Sequence, residues 1–312
     1  MPAEIMDFDT FYAERIEPSM PQLKKAQVTS RGWKAGMVGS LAIVGLYVVG
    51  FIANPSDANG WIIFFLVAVV LLCFYQYVRS NDNFSDQHKT LVIQEVVNYV
   101  APGAIYKPYK RVSSRAFKES RLYQYDYSSY EGSDYIEGQI NGIRFQCSEL
   151  VVSCTDPDGR GFVNVFKGLF FVAAIGGHIG GGTFIWPRKE HQDAEHLNVY
   201  YELLPIKGTQ KIATGDPGFD KYFRLRSSAP AEAAMLLTAE RRKSMLQICQ
   251  ATQLPLSFSF VAGRCYVGIP LNKDLLEVSR ADAGDKNDIK EHYVTISLIS
   301  GLVRQLALAD LL

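Results

Sequence analysis

Two uncharged runs constrain this chain more than any other feature: GMVGSLAIVGLYVVGFIA, Gly36 to Ala53, and WIIFFLVAVVLLCFYQYV, Trp61 to Val78. Each is about 18 residues long, and at about 1.5 Å per residue such a helix approaches the hydrocarbon thickness of a bilayer. Only NPSDANG, residues 54–60, joins them. Asn, Pro, Asp and Gly are turn formers, so the runs are expected to form an antiparallel transmembrane hairpin. A secretory signal peptide would lie nearer the start and would not lead straight into a second apolar run. Gly36, Gly39, Ser40, Gly45 and Gly50 put small residues along the first run, which would let the second approach closely.

The flanks set the expected orientation. Lys24, Lys25, Arg31 and Lys34 precede the first run, Arg79 and Lys89 follow the second, and the connecting loop has no Lys or Arg. Positive-inside bias then places both termini in the cytoplasm, with Trp33, Trp61, Tyr75 and Tyr77 at the interfaces. The expected organisation is an amphipathic arm over residues 1–35, a hairpin over 36–78 with spans 36–53 and 61–78, and a cytosolic domain over 79–312. In the arm, Phe8, Phe11, Tyr12 and Ile16 share a helical face before Pro18 and Pro21. Glu14 and Glu17 face anionic lipid poorly, so that face suits packing on protein at least as well.

Composition narrows the function. Lys plus Arg and Asp plus Glu both total 32, so the overall balance shows no attraction to polyanions and no nucleic-acid partner is expected. The five cysteines, Cys73, Cys147, Cys154, Cys249 and Cys265, are an odd set without a CxxC pair. They read as buried free thiols in a reducing compartment, and their spacing offers no zinc site.

The domain after the hairpin reads as α+β, with a mainly antiparallel sheet and packing helices. HKTLVIQEVVNYVAPG has helical spacing stopped by Pro102-Gly103, and Ser113 or Ser114 is placed to cap a short helix over 115–122. From Tyr123 to Pro187 a β-meander is expected: alternating residues flank Asn141-Gly142, a strong hairpin signal, and Asp156-Pro157-Asp158-Gly159 offers a second turn. VNVFKGLFFVA is a buried strand, interrupted by Gly176–Gly182 before TFIWP resumes. KYFRLRSS is a further strand, and Pro230 opens a helical section in which Thr238 caps a second helix. LPLSFSFVAGRCYVGIP is a hairpin about Ala262-Gly263, and residues 288–312 form a terminal amphipathic helix.

Groups that could carry chemistry are few. GGHIGGGT has the Gly177–Gly182 gap and following Thr183 of a phosphate loop, but lacks the lysine and the following helix, so an inter-strand loop is the better reading. His191 and His196 are five apart, which misses the helical spacing of a two-histidine metal site, and His88, His178 and His292 are scattered. No GxSxG elbow is present, and Cys147 or Cys265 would need a histidine from far away. The tyrosines of YQYDYSSYEGSDY, Tyr123 to Tyr135, read as strand residues with their hydroxyls in water. No catalytic residue, cofactor site or metal site is assigned.

Several motifs in one order, namely VFKGLFF at Val165–Phe171, DPGFDKYF at Asp216–Phe223, LLTAE at Leu236–Glu240, LSFSF at Leu256–Phe260 and GIPLNKDL at Gly268–Leu275, follow the two apolar runs. This layout resembles the bacterial domain of unknown function 3137 family. The resemblance implies a multi-pass protein of the bacterial cytoplasmic (inner) membrane with a cytosolic domain, and it implies no activity. It marks Phe166, Lys167, Gly168, Asp216, Phe219 and Asp220 as the candidate interaction or family-motif positions, although Asp216-Pro217-Gly218 also reads as a plain turn. The expected function is a non-enzymatic interaction or scaffold module, anchored in the bilayer through residues 36–78, that binds an unidentified protein partner or a second copy. The alternatives are a membrane-tethered hydrolase acting on a lipid or nucleotide, and a transporter accessory subunit.

Overall fold

A computed structural model describes residues 8–53, 60–124, 126–155, 159, 161–175, 180–188, 206–271 and 285–306. The chain divides into two units, one of residues 1–96 with 277–292, the other of 97–276 with 293–312.

The first unit is helical. A short helix α1 (Phe8–Phe11) leads through a π turn and a 3-10 turn into α2 (Met20–Ala53), and α3 (Gly60–His88) continues through a π turn into α4 (Gln94–Val100). The apolar runs are therefore the C-terminal part of α2 and the N-terminal part of α3, and both helices extend beyond them on the side away from the 54–59 connection. Pro18 and Pro21 do not break the arm, because they fall in the 3-10 turn and the first turn of α2, where a missing N–H is not needed. Phe8, Phe11, Ile16, Met20 and Leu23 are buried, which bears out packing of the arm on protein. Asp9 pairs with Lys286 at 2.6 Å, and the Lys286 ammonium lies 5.0 Å from the Tyr12 ring centroid.

Helices α2 and α3 pack against each other. Of the glycines Gly36, Gly39, Gly45 and Gly50, Gly36 alone meets the other helix, with a Cβ there lying 3.9 Å from Cys73 Sγ, and Ser40 is buried. Gly39, Gly45 and Gly50 face open space, so close approach does not depend on them. Both helices are long and apolar enough to cross a membrane, and none of either apolar window is buried within the protein.

The second unit is built on a nine-stranded antiparallel sheet: β1 (Ile105–Lys107), β2 (Ser129–Ile140), β3 (Ile143–Thr155), β4 (Phe162–Ala174), β5 (Thr183–Pro187), β6 (Gln210–Ile212), β7 (Phe223–Ser227), β8 (Ser257–Val261) and β9 (Arg264–Pro270). The helices α5 (Ser114–Ser120), α6 (Pro217–Tyr222), α7 (Pro230–Leu236), α8 (Ala239–Thr252) and α9 (Lys286–Gln305) lie between or after the strands, α9 contributing residues to both units. Asn141 and Gly142 both take positive φ, at 50° and 82°, and Ile140 faces Ile143 across the turn. Ala262 and Gly263 repeat this at 50° and 69°, so both expected hairpins close through turns whose twist matches that of the strands.

The meander ends at β4. Strand order is β1-β2-β3-β4-β9-β8-β5-β7-β6, so the β8–β9 hairpin inserts between β4 and β5, strands the sequence pattern places in succession. The Gly-rich segment is therefore a crossover rather than an interruption of one strand; its residues 176–179, and the expected turn at 156–158, lie outside the described residues. Burial of every residue from Gly168 to Ala173 marks β4 as a central strand covered on both faces. One face carries Phe166, Phe170 and Val172 into a core with Phe117, Leu150, Phe184, Trp186 and Tyr266.

Candidate functional site

A cleft in the second unit lies between α5 and the β8–β9 hairpin. Ser113 starts α5 by accepting the Ala116 N–H at 3.2 Å, and Arg121, left-handed at φ 53°, ends it. The helix is fixed to the sheet by Ser259 Oγ, which donates to the Ser120 carbonyl at 2.8 Å, and by Trp186 Nε1, which donates to the Leu122 carbonyl at 3.3 Å. Beneath it the Phe117 ring stacks on Tyr123, with centroids 5.4 Å apart, and meets Phe170 at 5.1 Å. Helix and hairpin are thereby held as one rigid platform.

The cleft between them has a volume of about 540 Å³ and is lined by Lys118, Glu119, Arg121, Val261, Arg264 and Tyr266, with Ala262 at the turn. Arg264 donates to one Glu119 oxygen at 2.9 Å and Arg115 Nε to the other at 2.8 Å, so a single carboxylate is bridged between two guanidiniums. Arg121 lies over the Phe184 ring at 5.4 Å and donates to the Lys207 carbonyl at 3.4 Å, and the Lys118 ammonium lies 5.0 Å from the Tyr127 centroid. Among the described residues neither Lys118 nor Arg121 forms an ion pair. The result is a half-open, positively charged recess with an apolar floor.

The residues marked by sequence motifs lie elsewhere. Phe166 is fully buried in the core, and the Lys167 carbonyl accepts the Leu271 N–H at 3.0 Å. Gly168 holds φ at 144°, and a Cβ there would collide with the Ile269 carbonyl and the Leu271 amide. Lys167 and Gly168 thus maintain the β4–β9 seam, and Phe166 belongs to the core. Asp216 caps α6 by accepting the Gly218 and Phe219 N–H groups at 3.0 and 3.2 Å, and pairs with Arg242 at 3.3 Å. The Phe219 amide does most to lower its pKa, and Arg242 lowers it further. Asp220 accepts from the Thr214 N–H and hydroxyl, both at 3.0 Å, and from the Gly215 N–H at 3.1 Å. Phe219 is buried against Phe223, with centroids 4.8 Å apart. GDPGFDKY is thus a self-satisfied turn and helix cap, and none of its side chains lines the cleft.

The tyrosine segment departs from the expected alternation. Strand β2 starts only at Ser129; Tyr123 and Tyr127 precede it and pack on Phe117. The Tyr130 hydroxyl donates to the Val112 carbonyl at 2.8 Å, and that of Tyr135 bonds Glu137 and Gln146, both at 2.9 Å, so these hydroxyls serve the fold.

Burial pushes the Cys265 thiol up to about 12 and the Cys249 thiol up to about 11, and it raises Cys147 further. None supplies a thiolate near neutral pH. Among the described residues no group of three or more His, Cys, Asp or Glu is placed to hold a metal ion. His88 and His292, in the first unit, meet edge to face with centroids 5.5 Å apart. His178, His191 and His196 lie outside the described residues. In the described part of the Gly-rich segment, Gly181 N–H donates to Glu232 at 3.0 Å and Gly182 N–H to Ser228 Oγ at 2.8 Å, so these amides are not available to a phosphate.

Residues 164–308 match the family described as protein of unknown function (DUF3137). Over this segment, a little under half of its length, the chain is similar to that family. The match starts within β4 and extends past α9, so it holds Val261, Arg264 and Tyr266 of the cleft, while Lys118, Glu119 and Arg121 precede it. No curated protein and no solved structure matches the chain. Sequence reasoning missed the cleft because its charges come from two segments, Glu119 and Arg264 being 145 residues apart, and neither segment carries a recognisable motif.

Proposed function

We propose that this protein is a non-enzymatic interaction module held at the bacterial inner membrane by two spans, with both termini and the α+β unit in the cytoplasm. The observation that carries this reading is that none of the apolar window of α2 or of α3 is buried within the protein, Leu46 being 74% and Trp61 81% exposed. A protein in water does not leave so large a contiguous apolar surface uncovered, and a bilayer covers it without help from another protein. The lysines and arginines that flank the two runs, against a 54–60 connection with none, favour the cytoplasmic orientation. The partner is a protein or a second copy of this chain.

Two measurements test it. In sealed right-side-out vesicles the α+β unit is expected to resist added protease and to become sensitive once the vesicles are opened; digestion before opening would overturn the topology. Crosslinking in native membranes is expected to yield a discrete higher-mass species, and recovery of monomer alone would overturn the interaction reading.

A further inference from the structure

We infer that the cleft between α5 and the β8–β9 hairpin is a binding site for an organic phosphate monoester, a ligand with a dianionic head and a compact apolar body. Cations at the end of a helix such as α5 need no ligand to explain them, since they suit the helix dipole. Arg264 is different, because it reaches the same recess from the turn of a hairpin distant in sequence. Glu119 cannot neutralise the group. Both its oxygens are engaged, one by Arg264 and one by Arg115, so the recess keeps a net positive charge.

Two guanidiniums and an ammonium around one recess match a phosphate dianion better than a monocarboxylate, because a phosphate monoester carries nearly two charges near pH 7 and accepts from several donors at once. Arg121 and Arg264 are already oriented, by the Phe184 ring and the Lys207 carbonyl and by Glu119, so little side-chain freedom remains to be lost on binding. Val261, Ala262 and Tyr266 give the recess apolar walls, and a volume of about 540 Å³ suits a small organic molecule. A phosphate of this kind occurs on soluble metabolites and on the headgroup of an anionic lipid. The site does not depend on the proposed membrane topology, so failure of either reading leaves the other standing.

The full chain in a zwitterionic detergent, titrated by calorimetry with phenyl phosphate and separately with mixed micelles containing phosphatidic acid, tests the site. Saturable binding of at least one probe is expected. Lys118→Gln and Arg264→Gln should each weaken it by about tenfold, as expected for loss of a charged hydrogen bond, whereas Lys243→Gln, on the exposed surface of α8, should change it by less than about twofold. Lys118 is exposed and its side chain makes no hydrogen bond among the described residues, so Lys118→Gln decides the matter even if Arg264→Gln fails to fold. Binding of both probes identifies phosphate itself as the recognised group, and binding of the micelles alone identifies the lipid headgroup as its source. Failure of both probes to bind, or equal loss in Lys118→Gln and Lys243→Gln, would overturn the assignment.

Discussion

Gly168 shows how one residue type can be dictated by a backbone position. Its φ of 144° is one that L side chains rarely adopt, and the Ile269 carbonyl occupies the space where a Cβ would go. Relieving that collision would open the β4–β9 seam at the centre of the sheet. Gly168→Ala is expected to destabilise the protein by about 3 kcal/mol or more, read as a lowered denaturant midpoint of the α+β unit. A midpoint equal to wild type would show that this strand position is not constrained. His88, only 2% exposed, makes a second prediction. Burial first, then the neighbouring His292 and Lys89, pushes its pKa down to about 3 from an ordinary 6.5. The unfolded chain therefore binds a proton between these values that the folded chain does not. The stability contributed by neutral His88 is complete above about pH 6.5 and is lost progressively as pH falls toward 3. Between pH 7 and 5 the loss should be about 2 kcal/mol, and His88→Gln should flatten that part of the profile. An unchanged slope in the variant would assign the titration to another group.

At the scale of elements, caps and turns were legible because their chemistry is local. Ser113, Thr238 and the Asn141-Gly142 pair act where their residue types predict, since each satisfies orphan amides or adopts positive φ within a few residues of itself. Thr238 accepts the Arg241 N–H at 3.2 Å, and its helix α8 ends on Gln253 in the left-handed region. Thr238→Ala should lower stability by about 1 kcal/mol, with Thr238→Ser restoring most of it; equal losses for both would remove the hydroxyl as the cause. Helix lengths were less legible. The apolar runs marked the C-terminal part of α2 and the N-terminal part of α3 but not their outer ends, because an uncharged stretch marks where lipid would be tolerated and says little of where hydrogen bonding continues beyond it. The placement of β5 beside β8 also escaped local reading. A short apolar strand such as TFIWP pairs equally well with any partner, and loop length does not choose among them.

For the molecule as a whole, the uncovered apolar surface of the first unit argues for a bilayer, and protease protection in sealed vesicles is the measurement that belongs at this scale. The sequence by itself determined the two apolar helices, the α+β class of the domain after them, both two-residue hairpin turns and the family likeness of residues 164–308. Each is written in short-range patterns, of hydrophobicity along a helix or strand, of φ preference at a turn, or of motifs in order. It also pointed to GDPGFD and FKG as possible interaction positions, and the fold uses both for its own integrity: one as a cap and turn, the other as a core seam. Tertiary structure alone decided that β8 and β9 divide the expected meander, and that Lys118 and Arg121 share a recess with Arg264. The physical reason is the same in both cases. Strand neighbours and converging charges are set by packing between segments far apart in the chain, and no local propensity carries that information.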